Sequence, residues 1–146
     1  YFHLCALNGV VVTGYVDDPR PYLAETAAFI VPLHAGGGMR VKILDAWLWG
    51  LPLVTTTIGA EGIRVRDGYN ALVADTAQGL ADAVARLLRD GSLAQSIASA
   101  GRATVEAEYD WRTVYRAWQA IYADERLEGE RVARQSASPQ VREAYT

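Results

Sequence analysis

The stretch HAGGGMRVKILDAWLWG (34–50) gathers residue types suited to holding an anion. Gly36, Gly37 and Gly38 carry no Cβ, so their backbone can come close to a ligand. They run directly into an amphipathic segment, and a helix begins with unpaired N–H groups and about half a unit of positive charge. The amides of Gly38, Met39, Arg40 and Val41 are the expected donors, and Arg40 and Lys42 add full positive charges. At about 100° per residue, Lys42, Asp45 and Trp49 fall on one strip, while Val41, Leu44, Trp47 and Leu48 fall on another that reads as the core face. The first strip sets a cation beside the anion site. One turn further on it sets a carboxylate that can accept two hydrogen bonds from a vicinal diol such as a ribose. A phosphorylated, ribose-bearing ligand matches this pattern. The plainer readings stay open: a flexible surface loop, a solvated Lys42–Asp45 pair at i,i+3 spacing, and Arg40 as a surface residue at a helix start.

The familiar phosphate motifs are absent. There is no G-x-x-x-x-G-K-[ST], and Val41 stands where G-x-G-x-x-G needs its last glycine. Other candidates are weaker. Glu61 in GAEG either meets a ligand or accepts N–H bonds within its own loop, and His34 is more simply a polar residue at a strand end. Asp17 and Asp18 lack D-x-D spacing, so a helix cap is the better reading. Trp47 reads as a core residue and Trp111 and Trp118 as core or interdomain residues, while Trp49, on the Asp45 strip, is either a plain surface ring or one that stacks on a base or sugar. Cys5 is the only cysteine and has no basic neighbour to activate it. No Ser-His-Asp set and no metal-ligand spacing is present.

The elements that must position these residues alternate. GVVVTGYV (Gly9–Val16) reads as a buried strand, then a helix with Asp18 as cap and Pro19 at its first position. AAFIVPL (Ala27–Leu33) reads as a strand covered on both faces. The glycine loop follows, then a helix from about Arg40 to Trp49 ended by Gly50 in a left-handed conformation. LPLVTTT is a third strand, 58–70 an irregular connection with a DGYN turn, and ALVAD a short fourth strand. A helix capped by Thr76 should bury Leu80, Val84, Leu87 and Leu88, and a further helix should be capped by Ser92. The last helix starts at Asp110 with a stripe of Trp111, Val114, Tyr115, Trp118, Ile121 and Tyr122, before a frayed end. This order predicts an α/β fold, a doubly wound parallel sheet with a helical C-terminal tail. Ligands gather beyond the carboxyl ends of such strands, and the glycine loop lies there.

The 146 residues suit one domain of ordinary globular composition, 51% hydrophobic and 21% charged. A net charge of −3 argues against nucleic acid as a general partner. No apolar run reaches the roughly 18 residues needed to span a bilayer. No signal peptide is evident, so the cytoplasm is the expected compartment. The opening YFHLCALNG has neither an initiator Met nor a cap. Residues 1–8 therefore read as the remnant of an earlier element, 9–124 as the ligand-binding domain and 125–146 as a charged helical tail.

From VVVTGYVDD through GGGMRVKILDA, GLPLVTT, GAEGI and DGYNALVAD to YDWRTVYRAWQAIY, the chain resembles the C-terminal, donor-binding domain of family 4 retaining glycosyltransferases, which have the GT-B fold. The likeness covers about residues 9–122. It implies a Rossmann-like half of a GT-B enzyme that transfers a sugar from a nucleotide diphosphate sugar to an acceptor with retention. On this likeness Asp45 holds the ribose hydroxyls, the amides of Gly38, Met39, Arg40 and Val41 meet the diphosphate and sugar, and Gly14, Tyr15 and Val16 lie near the base. Arg40 and Lys42 are expected to stabilise the leaving diphosphate, and Glu61 is a candidate for the donor site beside its alternative role within its own loop. The family signature E-G-F-G-x-x-x-x-E has Gly37 at its first glutamate here and Asp45, one methylene shorter, at its second. The implied partners are the donor, an unidentified acceptor and a preceding GT-B domain, without which the fragment should bind nucleotide weakly and not turn over. Peripheral membrane association of the parent is a further option, and no cofactor or metal is expected. Two other readings remain: a non-catalytic nucleotide-sugar-binding module, and another GT-B enzyme such as a sugar epimerase.

Overall fold

A computed structural model of the chain describes residues 8–38, 40–116 and 118–119. They fall into two compact units, one ending at Arg102 and the other beginning at Ala103. The expectations for residues 1–7, Met39 and the tail from residue 120 lie outside the described residues.

The first unit is an α/β arrangement in the order α1 (Arg20–Ala24), β1 (Phe29–Val31), α2 (Val41–Leu48), β2 (Leu53–Thr55), β3 (Leu72–Val73), α3 (Ala77–Arg89) and α4 (Gly91–Glu108), the last continuing into the second unit. The strands form one parallel sheet ordered β1-β2-β3, with Ile30 opposite Val54 and Val54 opposite Leu72. β2 is central and wholly buried, as its apolar run requires. Val54, Leu72, Leu80, Leu87 and Ile97 build the core, with Ala28, Ala74, Ala83, Val84, Leu93 and Ala94 packed around it.

Four expectations are corrected. Gly9–Val16 is not a buried strand, since none of it joins the sheet and Val11 is 85% exposed. β-branched residues favour a strand only where a neighbour completes the ladder, and among the described residues none does. β1 is covered on one face only, with Ile30 exposed. Leu88 is exposed, lying about 80° round the helix from Leu80 and off the buried stripe. α4 is capped by Asp90 rather than Ser92: an Asp90 Oδ1 accepts the Leu93 N–H at 2.9 Å and the Ser92 hydroxyl at 2.9 Å. The carboxylate takes the cap because it accepts more strongly than a hydroxyl.

Other local readings hold. The Thr76 hydroxyl accepts the Gly79 N–H at 3.0 Å. Gly50, at φ +66°, ends α2 in a Schellman turn: its N–H reaches the Trp47 carbonyl at 3.0 Å and the Leu51 N–H reaches Ala46 at 2.9 Å. At α1 the expectation is corrected: Pro19, not Asp18, stands at the cap position, and the Asp18 carboxylate accepts the Arg20 N–H at 3.0 Å from one residue further out.

In the second unit, Asp110 Oδ1 accepts the Arg112 N–H at 2.8 Å and opens a helical run over 111–116. Trp111, Val114, Tyr115 and Trp118 are exposed, so they are not core residues of the described structure.

Candidate functional site

Because the three strands are parallel, their carboxyl ends share one edge of the sheet. Beyond that edge run the glycine loop after β1, the 56–62 turn after β2 and Asp75 after β3. Ligands sit at this edge in open α/β sheets.

The threonine run at the exit of β2 fixes the edge. The Thr55 hydroxyl donates to the Val31 carbonyl at 3.1 Å, and the Thr56 hydroxyl donates to the Leu33 carbonyl. Thr56 Oγ1 also accepts the Gly59 N–H at 2.8 Å. Thr57 donates its N–H and its hydroxyl to the two oxygens of Asp75, each at 2.7 Å. One strand exit is thus tied to both neighbours. In sequence the run reads only as β-branched strand; its second use as three hydroxyl ties shows once the neighbouring strands are in register. Gly59 is required here, since a Cβ would sit 2.9 Å from the Val31 carbonyl oxygen.

The glycine loop is closed by Arg40. Its guanidinium donates to the Gly37 carbonyl at 2.7 Å, the Gly36 carbonyl at 2.9 Å and, more weakly, the Ile58 carbonyl at 3.4 Å. Arg40 is 8% exposed. The reading of Arg40 as a surface residue at the helix start is therefore not what the fold shows. Gly36 and Gly38 have φ of +140° and +83°, which a side chain would oppose. Among the described residues the amides of Gly38, Arg40 and Val41 donate to no other group.

α2 presents Lys42, Asp45 and Trp49 on its exposed side. Among the described residues neither Lys42 nor Asp45 forms an ion pair. The expected core face is corrected. The helix buries Ile43, Ala46 and Trp47, whereas Val41 is 52% and Leu48 50% exposed, and Leu44 is half-buried. Trp47 is common to the expected and the observed faces and anchors the helix. It is fully buried, and its indole N–H donates to the Asn70 carbonyl at 2.9 Å. Asn70 is itself held in the DGYN turn, accepting the Arg66 N–H at 2.7 Å and donating to the Arg64 carbonyl at 3.0 Å.

The remaining predicted site residues lie as follows. Gly37 and Gly38 form the exposed loop. Glu61 is exposed in the 56–62 turn, and its carboxylate accepts no bond within that loop. This turn and the glycine loop meet through the contact of Arg40 with Ile58. Gly14, Tyr15 and Val16 precede α1 with the Tyr15 ring in solvent, and no hydrogen bond among the described residues links them to the glycine loop. Asp75 was missed in sequence. Its carboxyl is held below the ordinary 3.8, first by the Thr57 amide, then by the Thr57 hydroxyl, with a smaller contribution from the charge of His34.

Comparison with known proteins agrees with this architecture. The profile of the family described as Glycosyl transferases group 1 matches residues 2–90, more than half of the chain. The chain is 30% identical over 75% of its length to the lipopolysaccharide core biosynthesis glycosyltransferase LpsE of Rhizobium meliloti, covering 33% of that protein. It is 38% identical over 80% of its length to a glycogen synthase of Mycobacterium tuberculosis, covering 29% of it. The chain thus spans about a third of the length of these relatives. Among solved structures, the C-terminal domain of the group 1 glycosyl transferase LpcC of Francisella tularensis superposes with a TM-score of 0.60 at 21% identity, over 67% of this chain and 52% of that one. The fold is that of a GT-B C-terminal domain, and the chain belongs to the group 1 glycosyl transferases.

Proposed function

We propose that the chain is the donor-binding half of an enzyme that transfers a sugar from a nucleoside diphosphate to an acceptor, with retention at the anomeric carbon and with the acceptor held by a preceding domain. One observation carries the reading. A glycine loop, with amides that donate to no other described residue, stands at the start of α2 on the carboxyl edge of the sheet, and Lys42 and Asp45 lie exposed on the turns that follow, in no ion pair among the described residues. Bond cleavage leaves negative charge on the departing diphosphate. Preorganised amides, the helix start and the Lys42 ammonium meet that charge without reorganising, which favours the transition state over the ground state. In this reading the protein itself supplies the cationic charge. Asp45 accepts from the ribose hydroxyls, Glu61 faces the sugar, and Gly14, Tyr15 and Val16 border the base.

Titration calorimetry of the chain with UDP, GDP and ADP tests this. Binding of at least one is expected, and Lys42→Ala and Asp45→Ala each weaken it by about tenfold, the loss of one charge-assisted contact. Affinity unchanged in both variants would remove the assignment. In the full-length parent, the anomeric configuration of the product reports retention directly.

A further inference from the structure

Arg40 has a role that its charge alone does not describe. Its guanidinium is turned into the protein and is only 8% exposed. Its two terminal nitrogens are occupied by backbone, with the Gly37 carbonyl at 2.7 Å, Gly36 at 2.9 Å and Ile58 at 3.4 Å, while the buried Nε has no partner among the described residues. In a trans peptide the carbonyl of one residue and the N–H of the next point in opposite directions. Drawing the carbonyls of Gly36 and Gly37 inward therefore turns the N–H groups of Gly37 and Gly38 outward. The same contacts cover the negative ends of these peptide dipoles, so an approaching anion meets their positive ends. Three successive glycines have more conformational freedom to lose than any other tripeptide, and something must hold them in one state.

We infer that Arg40 is a positioning residue: it pins the loop from within and acts on a bound diphosphate through the orientation of the loop amides, without touching the phosphates. This rests on the reading of the loop as a nucleoside diphosphate site and specifies how that site is kept in shape. It also separates two cations that look alike in sequence. Lys42 is exposed and meets the ligand, while Arg40 is buried and meets the loop. A planar fork can hold several carbonyls at fixed angles; the single ammonium of a lysine on a flexible stem cannot.

The test compares Arg40→Lys and Arg40→Gln in the 146-residue chain, with Lys42→Arg and Lys42→Gln beside them. Nitrogen-15 relaxation gives order parameters at Gly37 and Gly38, and calorimetry with UDP and GDP gives affinity. In the unsubstituted chain the order parameters should be near about 0.8, and both Arg40 variants should fall below about 0.6 while the amides of α3 keep their shifts. Affinity should drop about tenfold or more in both, with no rescue by lysine. At Lys42 the order parameters should stay unchanged, and arginine should restore the affinity that glutamine loses. Wild-type affinity in Arg40→Lys together with loss in Arg40→Gln would show a direct phosphate contact and overturn the inference. So would unchanged loop order in both Arg40 variants. Should the unsubstituted chain bind neither nucleotide, the donor-site reading fails, and the order parameters alone decide whether Arg40 braces the loop.

Discussion

Gly101→Ala probes how the site is oriented, because Gly101 lies in α4 against the indole of Trp47. A Cβ at Gly101 would stand 2.6 Å from Trp47 Nε1 and 2.9 Å from Cγ. The ring cannot yield cheaply: it is fully buried and tethered to the Asn70 carbonyl at 2.9 Å. Overpacking of this kind costs about 1–3 kcal/mol. Moving the indole off Asn70 adds about 1 kcal/mol for the lost hydrogen bond. Against this, alanine is the better helix former by about 1 kcal/mol. The net expectation is a destabilisation of about 2 kcal/mol, or roughly 5–10 °C in melting temperature. Gly91→Ala in the same helix is the control. Nothing lies within 4 Å of its added methyl, so it should be neutral or stabilise by about 0.5 kcal/mol. Urea and thermal unfolding followed by circular dichroism measure both. Trp47 also anchors α2, so Gly101→Ala should weaken nucleotide binding without touching the ligand. If Gly101→Ala stabilises the chain as Gly91→Ala does, the packing of Trp47 against α4 and its role in aiming Lys42 and Asp45 are wrong.

Two further outcomes follow from the carboxylates. Asp75 has its pKa depressed by the Thr57 amide and hydroxyl, and Asp90 by the Leu93 amide and the Ser92 hydroxyl. A depressed folded-state pKa contributes stability that is present above the unfolded value of 3.8 and is lost as pH falls through the folded one. Melting temperature should therefore fall on acidification below about pH 4. Asp75→Asn should be less stable than wild type at pH 7, with the difference shrinking as pH falls below 3.8 and through the lowered folded-state value. Asp90→Ala should lower the melting temperature, whereas Ser92→Ala should change it much less, because the carboxylate accepts the Leu93 N–H at 2.9 Å while the Ser92 hydroxyl donates to that same carboxylate.

The alternation of apolar runs and glycine-ended helices made the parallel sheet and its ligand edge legible. Gly50 and Thr76 could be read because each works through its own backbone neighbours, and local chemistry is visible in local sequence. The rotation of α2 was not legible. VKILDAWL is apolar at five of its eight positions besides the charged pair and Ala46, so two overlapping stripes satisfy the same period. Trp47 belongs to both stripes and is held inward by the distant Asn70 carbonyl; what separates the two is that Ile43 and Ala46 are buried while Val41 and Leu48 are left outside. Gly9–Val16 was misread for a related reason. A strand is a property of a pair, and the sequence of one member does not say whether its ladder is completed. Arg40 was read by its charge, and only the folded loop shows what that charge is holding. The threonine ties to Val31, Leu33 and Asp75 join residues about 18 to 24 positions apart, a separation at which spacing carries no signal.

The central assignment is that the loop of Gly36 to Gly38 and the start of α2 receive the diphosphate of a nucleotide sugar. Mapping amide chemical shifts of the isotopically labelled chain during titration with UDP or GDP addresses it most directly. The expected result is a saturating response largest at Gly37, Gly38, Val41 and Lys42, with smaller shifts at Asp45. A response centred away from this loop, or none at any nucleotide concentration, would contradict it.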